Sequence, residues 1–169
     1  MNDERTFLAF IHKTAAMGVG TLPQAMGLPQ SRAMVPALQD QLRECRTIAA
    51  RAQACARARG EELRGPGSAA LALAGAALRT RAVLDPSTST LAERLIREST
   101  GGAVETARRL HQCTRDTDPA LVELGRRLLA AQERTIQEMK RFLERERKRA
   151  ALTGPPAGCQ KSPKTFPTA

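Results

Sequence analysis

Apolar residues recur along this chain at spacings of three and four, with polar and charged residues between them. Such spacing belongs to helices that bury one stripe and leave the rest in water. Phe7, Ile11, Thr14 and Gly18 share one face, with Leu8, Ala15, Val19 and Leu22 beside it. This predicts a first helix over residues 3–25, capped by Asn2 or Asp3, with Pro23 near its end. Gly27-Leu28-Pro29-Gln30 predicts a turn. Val35, Leu38, Leu42, Cys45, Ala49 and Ala52 then predict a second helix, starting after Ser31 as N-cap and running to residue 59, with Gly60 as its stop. Pro36 falls in its first turns, where proline is tolerated.

Arg64-Gly65-Pro66-Gly67 breaks the pattern, and a short Ala-rich helix follows over residues 68–82. It is apolar on most sides and must pack against something. Leu91, Leu95, Ile96, Ala103, Leu110 and Cys113 mark a fourth helix over 87–112. Asp118-Pro119, an N-cap with proline at the first helical position, opens a fifth that runs to about residue 149. Its stripe is Leu121, Leu124, Leu128, Thr135, Met139 and Phe142. Residues 1–152 read as one helical domain. Residues 153–169 are rich in Pro, Gly and Lys and read as a disordered basic tail.

Composition strengthens the all-α reading. Hydrophobic residues make up 41% of the chain, but only four are Phe and none is Trp or Tyr. The core must therefore be built from Ala, Leu, Val, Ile and Met, among which helix formers dominate. No apolar run reaches the roughly eighteen residues of a membrane-spanning helix. The start, Met1-Asn2-Asp3-Glu4-Arg5, carries acids where a signal peptide carries bases, which points to a cytoplasmic chain with reduced thiols. Cys45, Cys55, Cys113 and Cys159 form no C-x-x-C pair, so the usual zinc spacing is missing. Cys45 and Cys113 read as small buried hydrophobes.

The formal net charge is +10, and residues 121–169 hold eleven basic against five acidic residues. A basic excess suits acidic partners such as nucleic acid, anionic lipid or acidic protein. Arg141, Arg145, Lys148 and Arg149, with Lys161 and Lys164, form the basic C-terminal region. Glu138, Glu144 and Glu146 interleave with it, as on a solvated face. Aromatics for stacking single-stranded bases are missing.

An internal repeat adds organisation. Arg46-Thr47-Ile48 in the second helix matches Arg134-Thr135-Ile136 in the fifth. Gly18 in the first helix matches Gly101-Gly102 in the fourth. Each half thus has a helix with a small-residue notch followed by a long helix with Arg-Thr-Ile. Glycine inside a helix costs about 1 kcal/mol relative to alanine. Close helix approach would offset that cost, so the first and fourth helices are expected to face one another at Gly18, Gly101 and Gly102.

In this two-pair organisation the chain resembles the ferritin-like superfamily, over residues 3–149. Met17-Gly18 in the first helix and Asp118-Pro119-Ala120-Leu121-Val122-Glu123-Leu124 before the last helix's core carry the likeness. The resemblance implies an antiparallel four-helix bundle of two helix pairs, with the short third helix in the crossover. Metal-binding members place a Glu on each of two helices and Glu-x-x-His on the other two. The corresponding frames here are Glu44-x-x-Thr47 and Gln132-x-x-Thr135, with Thr at both His positions. The resemblance implies that these four residues share one interior spot. Glu98 and Glu105 on the fourth helix could face it, but the first helix has no Glu after Glu4.

The full di-metal set is therefore missing, and no cofactor is expected. His12 and His111 are the only histidines and read as surface or boundary residues. A partial metal site would have to draw on Glu44, Glu98, His12 and His111. Gly65-Pro66-Gly67-Ser68 lacks the lysine and strand of a phosphate-binding loop, and Ser99-Thr100 have no His-based triad. The expectation is a non-enzymatic helical module, structural or protein-interacting, as a homodimer or with a protein partner. The alternatives are a diverged ferritin-like metal binder and a non-specific binder of nucleic acid or another polyanion.

Overall fold

The computed structural model describes residues 2–153. Of the stretch read as a tail, residues 153–169, all but Thr153 lie outside them. The described residues form five α-helices and no strand: α1 Asn2–Met26, α2 Val35–Ala58, α3 Ser68–Leu84, α4 Thr88–His111 and α5 Pro119–Leu152. The all-helical reading and the five helices agree with the periodicity.

Helix ends follow local chemistry. Ser87 caps α4, its hydroxyl accepting from Thr90 N at 3.3 Å. Asp118 caps α5, accepting from Ala120 N at 2.8 Å, with Pro119 in the first turn. α2 departs from expectation. Pro36 cannot donate to the ladder, and its ring crowds the carbonyl four residues back. The α-helix accordingly begins at Val35, behind a 3₁₀ segment, Pro29–Met34. Ser31 is not an N-cap. It is buried, and its hydroxyl lies 2.6 Å from the Leu28 carbonyl and 2.9 Å from that of Met26, donating back into the turn.

Two apolar clusters hold the helices together. One joins Leu8, Ile11 and Ala15 of α1 to Ile48 and Ala52 of α2 and to Leu124 and Leu128 of α5. The other joins Leu22 of α1, Met34, Leu38 of α2, Leu78 of α3, Leu91 and Leu95 of α4, and Met139 of α5. Burying each such leucine or isoleucine contributes about 2 kcal/mol.

Individual contacts give the helix directions. Glu4 meets Arg59 and Gly18 meets Cys45, so α1 and α2 are antiparallel. Gly102 meets Gln132 and Leu110 meets Gly125, so α4 and α5 are antiparallel. Arg59 pairs with Asp118 and Glu44 with Arg127, so α2 and α5 are antiparallel. α3 runs beside α1 in the same direction, with Leu71 against Gly20 and Gly75 against Gln24.

The glycine notches work differently from the expectation. A Cβ at Gly18 would sit 2.7 Å from the Cys45 sulfur, and one at Gly102 would strike the Gln132 amide. Each notch therefore admits a side chain of the helix's own partner. Gly101 has nothing within 4 Å of where its Cβ would stand. α1 and α4 do not close on one another at these glycines. Their named contact is nearer the other end, where the Arg109 guanidinium lies 4.7 Å from the Phe10 ring centre.

Arg59 pins three chain segments together. It donates to Glu4 at 3.3 Å and to Asp118, while Glu4 accepts from Asp118 N at 2.9 Å. The hydrogen bond from Arg59 holds the Asp118 carboxyl below the usual range, and the one from Arg127 does the same for Glu44. A carboxyl whose pKa is depressed on folding stabilises the fold above its ordinary pKa and loses that contribution as pH falls below about 4.

Two predictions follow from this packing. Gly125→Ala places a methyl 2.6 Å from Phe7 Cζ and 2.9 Å from Leu110 Cδ2. It should lower stability by about 1 kcal/mol despite the gain in helix propensity, whereas Gly101→Ala, which meets nothing, should raise it by about 0.5–1 kcal/mol. Urea melts of both variants check the pair. Thermal stability of the parent should also fall between about pH 5 and pH 2. The fall should be shallower in the Arg59→Met, Arg127→Met double variant, as measured by calorimetry across pH.

Candidate functional site: a cleft between the first and fourth helices

Because α1 holds to α2 and α4 holds to α5, the space between α1 and α4 stays open. It is a cleft of about 520 Å³ that touches all five helices. Along α1 the lining runs from Phe10 to Ala25, a rise of about 22 Å. The α4 wall is Arg94, Leu95, Glu98, Ser99 and Gly102. Ala74 and Leu78 of α3 close one side. α2 and α5 form the floor through Gln41, Cys45, Ile48, Leu128, Gln132 and Thr135.

Most of this lining is apolar, and its polar groups fall into two sets. On the floor, Thr135 donates to the Ala131 carbonyl at 3.0 Å. The Thr106 hydroxyl lies 2.7 Å from the Gly102 carbonyl and 3.0 Å from Gln132 Oε1, with one hydrogen to give to either. Gln132 is thereby anchored, and its amide nitrogen sits over the Gly102 notch. At the rim are Lys13, exposed, and the Arg94–Glu98 pair, with Nε donating to Oε1 at 2.8 Å.

Cys45 is the one thiol in the lining. Burial, with the neighbouring Glu44 carboxylate second, pushes its pKa up to about 11. It is therefore a neutral thiol near pH 7, an apolar wall atom and not a nucleophile. No base stands in a relay with it or with Ser99 among the described hydrogen bonds. The lining of the cleft is mainly apolar, with its charged groups, Lys13, Arg94 and Glu98, at the rim.

The residues named for a partial metal site do not gather here. Glu44 faces Arg127, accepting from its Nε at 2.6 Å and Nη2 at 3.0 Å. Glu98 lines the cleft rim, paired with Arg94. His12 is half-buried against the backbone of Arg64, and burial lowers its pKa, so the imidazole is neutral near pH 7. His111 is exposed in the last turn of α4. Glu105 is bound on its own helix by Arg108 and Arg109, whose hydrogen bonds hold it down to about 2. Among the described residues, no group of three His, Cys, Asp or Glu is placed to hold a metal ion.

The shared interior spot implied by the resemblance is not formed either. Gln132 and Thr135 are buried in the cleft floor. Thr47 is half-buried and donates to the Arg43 carbonyl at 3.0 Å, outside the cleft lining, as is Glu44. The Arg-Thr-Ile match therefore marks no common site. From α2 the cleft takes Gln41, Cys45 and Ile48 instead, and repeat spacing does not single out Gln41 or Cys45.

No protein-family model, curated protein or solved structure matches this chain.

The thiol carries a chemical prediction. In the native protein at pH 8, alkylation of Cys45 by iodoacetamide, followed by peptide mass mapping, should be slowed about a hundredfold relative to an unperturbed thiol, and urea should restore the ordinary rate. Equal rates in both states would place Cys45 in water instead.

Proposed function

We propose that this chain is a non-enzymatic binding module that takes an elongated, mainly apolar small molecule into the cleft between α1 and α4. The observation that carries this reading is the cleft itself. Its volume, about 520 Å³, lies within the range of small-molecule sites, roughly 300–1,000 Å³. It combines apolar walls with a few fixed polar groups, Gln132 and Thr135 inside and Lys13 and Arg94 at the rim. Apolar surface supplies the affinity, and the floor amide and rim cations orient a polar or anionic head.

The fold we propose for it is an antiparallel four-helix bundle of ferritin-like course, α1 and α2 forming one pair and α4 and α5 the other. The antiparallel contacts within each pair and between α2 and α5 support this, as does α3, which stands between the pairs in sequence and lies beside α1.

The test is titration of a fluorescent fatty acid, cis-parinaric acid, into the purified chain. Saturable one-to-one binding is expected. Ser99→Phe and Ala131→Phe, which put rings into the cleft, should weaken it at least tenfold while leaving the helical circular dichroism unchanged. No saturable binding, or binding that ignores both substitutions, would overturn the reading.

A further inference from the structure

The third helix has a second apolar face, and that face is turned away from the molecule. Leu71, Ala74, Gly75 and Leu78 form its inner stripe, against α1 and the cleft. By helical spacing Ala69, Leu73, Ala76, Thr80 and Val83 lie opposite, and all are exposed. Leu73 is 72% exposed, Val83 83% and Leu84 79%, three of the most exposed large apolar side chains in the described chain. Such residues clustered on one short helix mark an interaction surface.

Charge decides what the surface suits. α3 contains no acidic residue, and Arg79 and Arg81 stand on either flank of the outward stripe. The nearest acid downstream, Asp85, is turned into the start of α4, accepting from Ser87 N at 3.1 Å and from the Thr90 hydroxyl. Upstream, Glu61 pairs with Arg5 at 3.8 Å and Glu62 is exposed in the connection.

Leu78 shares its apolar cluster with Met139, against which Phe142 and Leu143 pack, so α3 ends at the same end of the molecule as the last turns of α5. Those turns carry Arg141, Arg145, Arg147, Lys148 and Arg149 against Glu144 and Glu146, and they close on Leu152, 87% exposed. Apolar side chains bordered by arginines whose stems can lie along them, beside a cationic helix end, complement a negatively charged bilayer surface.

We propose that the outward face of α3 docks on an anionic lipid surface, with the helix lying in the interface plane. At 17 residues α3 is about 25 Å long, short of the hydrocarbon core, and no described helix is long and apolar enough to cross a membrane. Leu73, Val83 and Leu84 enter the headgroup boundary, and Arg79 and Arg81 meet lipid phosphates. The proposal does not require a ligand in the cleft.

The test is cosedimentation of the full chain with vesicles of phosphatidylcholine alone and of an equimolar mixture with phosphatidylglycerol. Binding to the mixed vesicles should exceed binding to phosphatidylcholine at least tenfold. It should fall to the phosphatidylcholine level in Leu73→Asp, Val83→Asp, Leu84→Asp, and separately in Arg79→Glu, Arg81→Glu, with circular dichroism unchanged in both. No binding to the mixed vesicles overturns the proposal. So does full binding by the triple variant, which would leave the α5 cations as the sole cause. A dimer in sedimentation equilibrium that the triple variant abolishes, with no vesicle binding by the parent, would assign the face to a second copy of the chain and overturn it equally.

Discussion

The arrangement of this chain depends on where its helical glycines let side chains in. At Gly18 the Cys45 sulfur enters, and at Gly102 the Gln132 amide enters. Each close approach ties the first helix of a pair to the second. α2 and α5 then join the pairs through Ile48, Leu124 and Leu128 and the Glu44–Arg127 ion pair. With α2 and α5 in contact and α1 and α4 each packed on its own partner, α1 and α4 do not meet along their length. The cleft is a consequence of close packing elsewhere, and α3 covers only one side of it.

The electrostatics serve the frame and leave the cleft largely neutral. Arg59 gathers Glu4 and Asp118 at one end, and Arg127 takes Glu44 at the join of α2 and α5. These partly exposed pairs are worth little individually, but they fix which segments neighbour one another. Inside the cleft the groups are of another kind: a protonated thiol, an amide held by Thr106, and threonine hydroxyls that donate to their own helix. Charge is confined to the rim. The proposed binding of an apolar body with a polar head rests on this contrast.

Much of the fold was legible in the sequence, because apolar residues at helical spacing, Ser87 and the Asp118-Pro119 cap act locally. Spacing places the start of α2 too early because Pro36 cannot donate to the ladder, and the residues before Val35 form a 3₁₀ segment that buries Ser31. Gly18 and Gly102 are close approaches, though not of the first helix to the fourth, and Gly101 is open, because spacing says only that a helix is thin at a point. It does not say which neighbour comes near. The Glu44 and Thr47 frame failed for a similar reason. One turn of helix separates residues that share a face, yet Arg127 on α5 determines where the Glu44 carboxylate goes. The cleft was not legible at all. It is assembled from ordinary residues of five helices, none of which has distinctive chemistry alone.

Packing within their pairs holds α1 and α4 apart and leaves an apolar space between them. Crystals pressurised with xenon, which occupies apolar cavities without needing a specific ligand, address it most directly. Xenon is expected between α1 and α4, bounded by Cys45, Leu95 and Leu128 and below the Arg94–Glu98 rim. A structure in which α1 packs against α4 through Gly18, Gly101 and Gly102, with no xenon between them, would contradict it.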